Sequence, residues 1–114
     1  MAEILNPHDA ELEEVVLGAC LLETAAMTLV ADKLRAEMFY EQSHSEIFSA
    51  LLAMYHTGKR IDIITVRLEL AARGKLDAVG GPFRLTQLTS RVASSAHLEQ
   101  HAAILREQYV RREA

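Results

Sequence analysis

Residues 39–74, FYEQSHSEIFSALLAMYHTGKRIDIITVRLELAARG, decide how this chain folds. Ile47, Phe48, Leu51, Leu52 and Tyr55 recur at spacings of one, three or four, which is one face of an amphipathic helix. Ser43 followed by Glu46 reads as a capping box opening that helix, and Gly58 as its stop. Asp62 suits the N-cap of a second helix, with Ile61 before it and Val66 placed to staple across the cap. That helix runs to Arg73 with Ile64, Leu68 and Ala71 on one face, and Gly74 closes it. Two helices and the turn between them are therefore specified locally.

Working outward toward the N-terminus, Asn6, Pro7 and His8 lead to Asp9, a good N-cap, with Glu11 and Glu13 at the positive end of the helix that follows. Leu12, Val15, Val16, Ala19 and Leu22 form a stripe that Leu17 and Leu21 widen, so this helix is expected at the centre of the fold. Thr24 is suited to cap a shorter helix reaching about Lys33, with Met27, Val30 and Leu34 inward. Residues 35–38 then make a turn that delivers Phe39 and Tyr40 to the core.

Toward the C-terminus, residues 75–79 make a short connection with Leu76 turned inward. Gly80, Gly81 and Pro82 open a fifth helix running to about Arg91, in which Leu85, Leu88 and Val92 align. Ser94 and Ser95 supply the cap of a last helix striped by Leu98, His101, Ala102, Leu105 and Tyr109. Arg111 and Arg112 lie at its negative end. Because the stripe continues into the last turns, this helix is expected to project from the globule and seek a partner helix.

A chain of 114 residues is the size of one small domain. Half of its residues are hydrophobic but only 5% are aromatic, which points to a core of Leu, Ile, Val, Ala and Met and to helices. The expected fold is all-α, a compact bundle of about five or six helices with a long C-terminal helix. Residues 1–94 form its head and residues 95–114 the long helix. A formal net charge of −4 has the wrong sign for a protein that neutralises many phosphates, so direct nucleic-acid binding is not expected. Cys20, alone in the chain, reads as a buried small hydrophobe. No apolar run approaches the roughly 20 residues of a membrane span, and the acidic start lacks a signal pattern, so the expected compartment is the cytoplasm.

The chemistry-bearing residues do not assemble a site in the sequence. His97 and His101 are four apart on one helix, but Glu99 follows the first by two instead of one, and no third ligand is apparent. His44 reads as a packed or capping histidine. Gly80 and Gly81 lack both the Gly-Lys-Ser/Thr ending of a phosphate loop and a preceding strand. No Ser/His/Asp or Cys/His arrangement is legible. The expectation is therefore no catalytic residue, no cofactor-binding residue and no metal ligand. A small helical DNA-binding regulator is the alternative reading, opposed by a connection over residues 56–61 that is longer than the tight turn of a helix-turn-helix.

An ordered set of motifs carries a resemblance. It comprises Pro7 with Glu11 and Glu13; Val16, Leu17 and Gly18 with Leu21 and Leu22; Phe39 and Tyr40 with His44, Ile47 and Phe48; Gly58 with Ile61, Asp62, Thr65 and Val66; and Gly80 and Gly81 with Leu85. Together they resemble the N-terminal domain of the bacterial replicative DNA helicase, the DnaB type, over nearly the whole chain. The resemblance implies a helical head followed by the first part of a dimerising helical hairpin. It implies a non-catalytic role in DNA replication: pairing of protomers, assembly of the collar of a hexamer, and docking of the primase C-terminal domain and a helicase loader. ATP and Mg would belong to a separate motor domain that these residues do not contain. Arg84 stands where the family usually has tyrosine, with Phe83 beside it, which makes this pair the candidate docking residues. Leu98, Leu105 and Tyr109 are the candidate residues of the pairing surface.

Overall fold

Asp9 Oδ1 accepts a 3.1 Å hydrogen bond from the Leu12 N–H and starts helix α1, Ala10–Leu22. The computed structural model describes residues 9–92 and 94–114, so Asn6, Pro7 and His8 lie outside the described residues. After α1 come α2 (Thr24–Val30), a 3-10 turn at Ala36–Met38, α3 (Gln42–His56), α4 (Ile63–Ala72), α5 (Gly81–Ser90) and α6 (Leu98–Glu113). The fold is all-α, and no strand occurs among the described residues. Helix α1 packs against each of the other five, the central position its wide apolar stripe predicts.

The core is aliphatic with an aromatic pair at its heart. Val16, Leu17, Met27, Ile47, Phe48, Leu51, Leu70 and Leu88 are fully buried, and each such side chain contributes about 2 kcal/mol through the apolar surface it removes from water. Phe39 and Phe48 stack with ring centroids 5.0 Å apart, so the turn at residues 36–38 delivers Phe39 to the core, whereas Tyr40, expected there with it, is 44% exposed. Cys20 is buried, and burial pushes its thiol up to about 12, leaving it no reactive thiolate. Ile61 and Val66 are both buried on either side of the α4 cap. Asp62 accepts from the N–H groups of Ile64 and Thr65 while Thr65 Oγ1 accepts from the Asp62 N–H, a complete reciprocal cap.

Gly18 sets how closely α1 and α5 approach. A β-carbon there would lie 2.2 Å from the Leu88 carbonyl oxygen, so only a hydrogen fits between the two backbones.

Several local expectations need correction. Helix α3 begins at Gln42 behind Glu41, with no side-chain cap, so Ser43 and Glu46 do not form a capping box. Glu46 is engaged instead by Gln42 Nε2 at 3.1 Å and by Lys75 Nζ at 3.6 Å. Helix α2 ends at Val30 and is preceded by Glu23; Thr24 does not cap it. The Thr24 hydroxyl donates to the Ile61 carbonyl and accepts from the Ile61 N–H, tying α2 to the approach of α4.

On α4 the apolar face that the sequence singles out is the outer one. Ile64 is 57% and Leu68 55% exposed, and Ala71 is exposed with them. Val66 and Leu70 are buried, with Ile63 packed at the edge of the core. Residues 63, 66 and 70 form a second stripe with the same helical spacing, so periodicity alone could not tell which face turned inward.

The last helix begins at Leu98, because Ser94 Oγ accepts from the Ala96 N–H and Ser95 Oγ donates to Glu23 Oε1. Nor does it project from the head. Leu98, Ala102 and Leu105 are in the core, the Tyr109 hydroxyl donates to Glu37 at 2.9 Å, and Arg112 donates to the Met38 carbonyl at 2.9 Å. Residues 98–113 thus lie along the head that residues 1–94 were expected to form by themselves.

Candidate partner-docking surface

A polar chain runs through the head and fixes the start of α5. Glu13, 1% exposed, accepts from the N–H groups of Tyr40 and Glu41 and from His44 Nδ1 at 2.7 Å. His44 Nε2 lies 3.2 Å from Arg84 Nη2. A guanidinium only donates, so this contact assigns the lone pair to Nε2 and the proton to Nδ1. The same Arg84 nitrogen donates to Glu14 Oε2 at 2.6 Å, and Glu14 Oε1 accepts from Arg91 Nε at 2.9 Å. Each charged group of this network has a hydrogen-bonding partner, which is what lets Glu13 occupy low-dielectric surroundings. His44 is the packed histidine that the sequence predicts.

Gly80 makes room for this arrangement. Its φ is 109°, and a β-carbon would stand 2.9 Å from the Arg84 β-carbon. The helix therefore starts with Arg84 drawn inward toward Glu14 and with Pro82 and Phe83 turned out. Phe83 is 71% exposed, the most exposed large apolar side chain among the described residues. A rigid helix start holding an aromatic ring in water is the geometry of an interface anchor.

Of the residues expected at partner surfaces, Phe83 is open and Arg84 is not. Arg84 is two-thirds or more covered and committed to Glu14, so it holds the surface in place and is not itself a free docking group. Leu98 and Leu105 are 2% and 1% exposed inside the head's own core, which corrects the expectation that they offer a stripe to a partner. Tyr109 is half-buried, with Arg35 and Arg112 5.8 and 5.7 Å from its ring centroid. The Tyr109 hydroxyl, with Arg35 second, holds the Glu37 carboxyl below the usual carboxylate range. The apolar residues that α6 does present outward are Ile104 and Val110. Five candidates thus separate into an exposed anchor, its support, two core residues and a half-covered tyrosine.

Sequence reasoning missed Glu13 and Glu14 as network members. Two adjacent carboxylates in the first turns of a helix look like ordinary partners of the helix dipole, and only the three-dimensional approach of His44 and Arg84 gives them another role. The rings of His97 and His101 are 6.1 Å apart, and no group of three or more His, Cys, Asp or Glu arranged to hold a metal occurs among the described residues. No helix among those residues is long and apolar enough to cross a membrane.

Comparison with known proteins gives this geometry a family. Residues 5–107 match the family described as DnaB-like helicase N terminal domain. The replicative DNA helicase DnaB of Rhodothermus marinus is 40% identical over 106 residues, covering 93% of this chain and 11% of its own length. That of Geobacillus stearothermophilus is 37% identical over 111 residues, covering 97% of this chain and 24% of its own. This chain therefore spans only about a tenth to a quarter of these relatives. The crystal structure of the N-terminal domain of DnaB helicase from Mycobacterium tuberculosis superposes with a TM-score of 0.89 at 36% identity, over 94% of this chain and 78% of that one. A DnaB-like replicative helicase, described with its interactions with primase, superposes with a TM-score of 0.80 at 27% identity, over 92% of this chain and 25% of that one. The resemblance carried by the ordered motifs is thereby established, and the chain belongs to the DnaB-like helicase N-terminal domain family.

Proposed function

We propose that this chain is the non-catalytic collar segment of a replicative DNA helicase, acting through protein surfaces. It pairs with further copies, supports a hexamer, and docks the C-terminal domain of primase, with a helicase loader as a further partner. The ATP-hydrolysing motor belongs to a separate domain, and the compartment is the cytoplasm. The observation that carries the docking role is Phe83, exposed on a helix start that Arg84 fastens to Glu14 and His44. The described relative with primase interactions supports the choice of partner. Pairing rests on the outer face of α6, where Ile104 and Val110 stay open after Leu98 and Leu105 have been used by the head.

Titration of the chain with the C-terminal domain of the cognate primase, followed by calorimetry, tests the docking role. Saturable binding that Phe83→Ala weakens by about tenfold or more is the expected result. Binding unchanged by that substitution would remove Phe83 from the interface, and no binding would remove primase as the partner.

A further inference from the structure

Helix α4 presents a second apolar face that the head does not use. Ile64, Leu68 and Ala71 line it over about two turns, and beside it Met54, Thr65, Leu68 and Glu69 border a shallow depression of about 380 Å³. Lys59 and Arg60 line that depression and Arg67 and Arg73 follow along α4 and its end, against Asp62 and Glu69, within a chain whose net charge is −4.

The two local carboxylates are already engaged. Glu69 is shared by Arg73 at 3.1 Å and Lys59 at 3.2 Å, and Asp62 accepts from two backbone N–H groups at the start of α4. Arg60 Nε lies 3.3 Å from Asp62 Oδ2 with its side chain 82% exposed, where an ion pair is weak, and Arg67 pairs with no carboxylate among the described residues. Four cations, Lys59, Arg60, Arg67 and Arg73, against the two carboxylates Asp62 and Glu69 leave this face net positive.

We propose that the Ile64–Leu68–Ala71 face docks an acidic amphipathic helix of another protein, its apolar stripe covering Leu68 and its flanking carboxylates meeting Lys59, Arg60 and Arg67. An apolar centre with a charged rim fits helix-in-groove recognition, and the sign of the rim selects the partner's flanks. A second copy meeting this face through a two-fold axis would set the same basic rim against itself, an arrangement that like charges disfavour. Nucleic acid would leave Ile64 and Leu68 against a polar backbone with nothing to cover them. The surface lies on α4, separate from the α5 anchor at Phe83, and the proposal does not depend on the primase reading.

The test uses two fluorescein-labelled peptides of about 18 residues, long enough to hold a helix, with leucine at every third or fourth position. One carries glutamate on its flanks and the other lysine. Fluorescence anisotropy with the full chain is expected to give a Kd about tenfold or more lower for the glutamate peptide. Leu68→Ser should abolish that binding with helicity intact, and Phe83→Ala should leave it unchanged. Arg60→Glu with Arg67→Glu should reverse the preference toward the lysine peptide, which a merely misfolded variant would not do. Equal affinity for the two peptides, no saturable binding, or insensitivity to both Leu68→Ser and the charge reversal would overturn the proposal. So would sedimentation showing self-association that Leu68→Ser removes, because the face would then be occupied by a second copy.

Discussion

His44 Nδ1 lies 2.7 Å from Glu13 Oε1, with both side chains only 2% exposed. That single contact joins α3 to α1 and places the Glu13 carboxylate where it also takes the N–H groups of Tyr40 and Glu41. Glu13→Ala removes the acceptor of three donors at once. We expect it to lower stability by about 3 kcal/mol, since a buried partner is left unpaired. Urea unfolding would measure this, with Glu11→Ala, on an exposed carboxylate, shifting stability by no more than about 0.5 kcal/mol.

Arg84 and Phe83 are adjacent in sequence but should behave oppositely. Phe83→Ala should leave stability within about 0.5 kcal/mol and act on partner binding, because its ring is in water. Arg84→Ala should loosen α5, leaving His44 Nε2 without its donor and Glu14 with Arg91 alone. Its effect on primase binding should then follow the loss of helix position, and Arg84→Lys should restore it only in part, since the ammonium of a shorter side chain must reach both acceptors that the terminal nitrogen Nη2 now meets. A stability loss with Phe83→Ala equal to that with Arg84→Ala would contradict this division.

The close approach at Gly18 is tested by Gly18→Ala. The added methyl meets the Leu88 carbonyl at 2.2 Å, and backbone cannot give way as a flexible side chain would. Forced separation of α1 and α5 should cost about 2 kcal/mol, in spite of the helix propensity that alanine adds. A more stable variant in thermal unfolding would show that the two helices part without penalty.

Acid should weaken the fold through carboxylates whose pKa is depressed in the native state. The Thr65 backbone N–H, ahead of the other contacts, lowers Asp62, and Arg73 followed by Lys59 lowers Glu69. With native values below those of the unfolded chain, the stability they add is present at neutral pH and is lost as pH falls below about 4 toward the depressed values. Asp62→Asn keeps an oxygen for the cap but removes the titration. The difference in urea midpoint between about pH 7 and about pH 3 should therefore be smaller in Asp62→Asn than in the parent.

Local signals carried much of the architecture. Asp9 and Asp62 cap where their chemistry says, the Phe39 ring reaches Phe48, and α1 takes the centre its apolar width demands. Each of these depends on a few neighbouring residues or on gross amphipathicity. The orientation of α4 did not follow, because Ile64, Leu68 and Ala71 compete with Ile63, Val66 and Leu70 for one core and only packing chooses between them. The role of Arg84 was hidden for a different reason. A charged residue beside an exposed aromatic looks like a docking group until Glu14, 70 positions earlier in the chain, is found 2.6 Å away.

Pairing through α6 gives the remaining prediction, and the burial of Leu105 changes how it is tested. Leu105→Asp would put an unpaired carboxylate into the core, so it should unfold the head and reveal nothing of an interface. Ile104 and Val110 are 39% and 54% exposed on the same helix and can be changed without opening the core. If protomers pair along this face, Ile104→Lys with Val110→Glu should convert a concentration-dependent dimer to a monomer in sedimentation, while circular dichroism and urea midpoint stay near those of the parent. A dimer that persists in this variant would move the pairing surface off the outer face of α6.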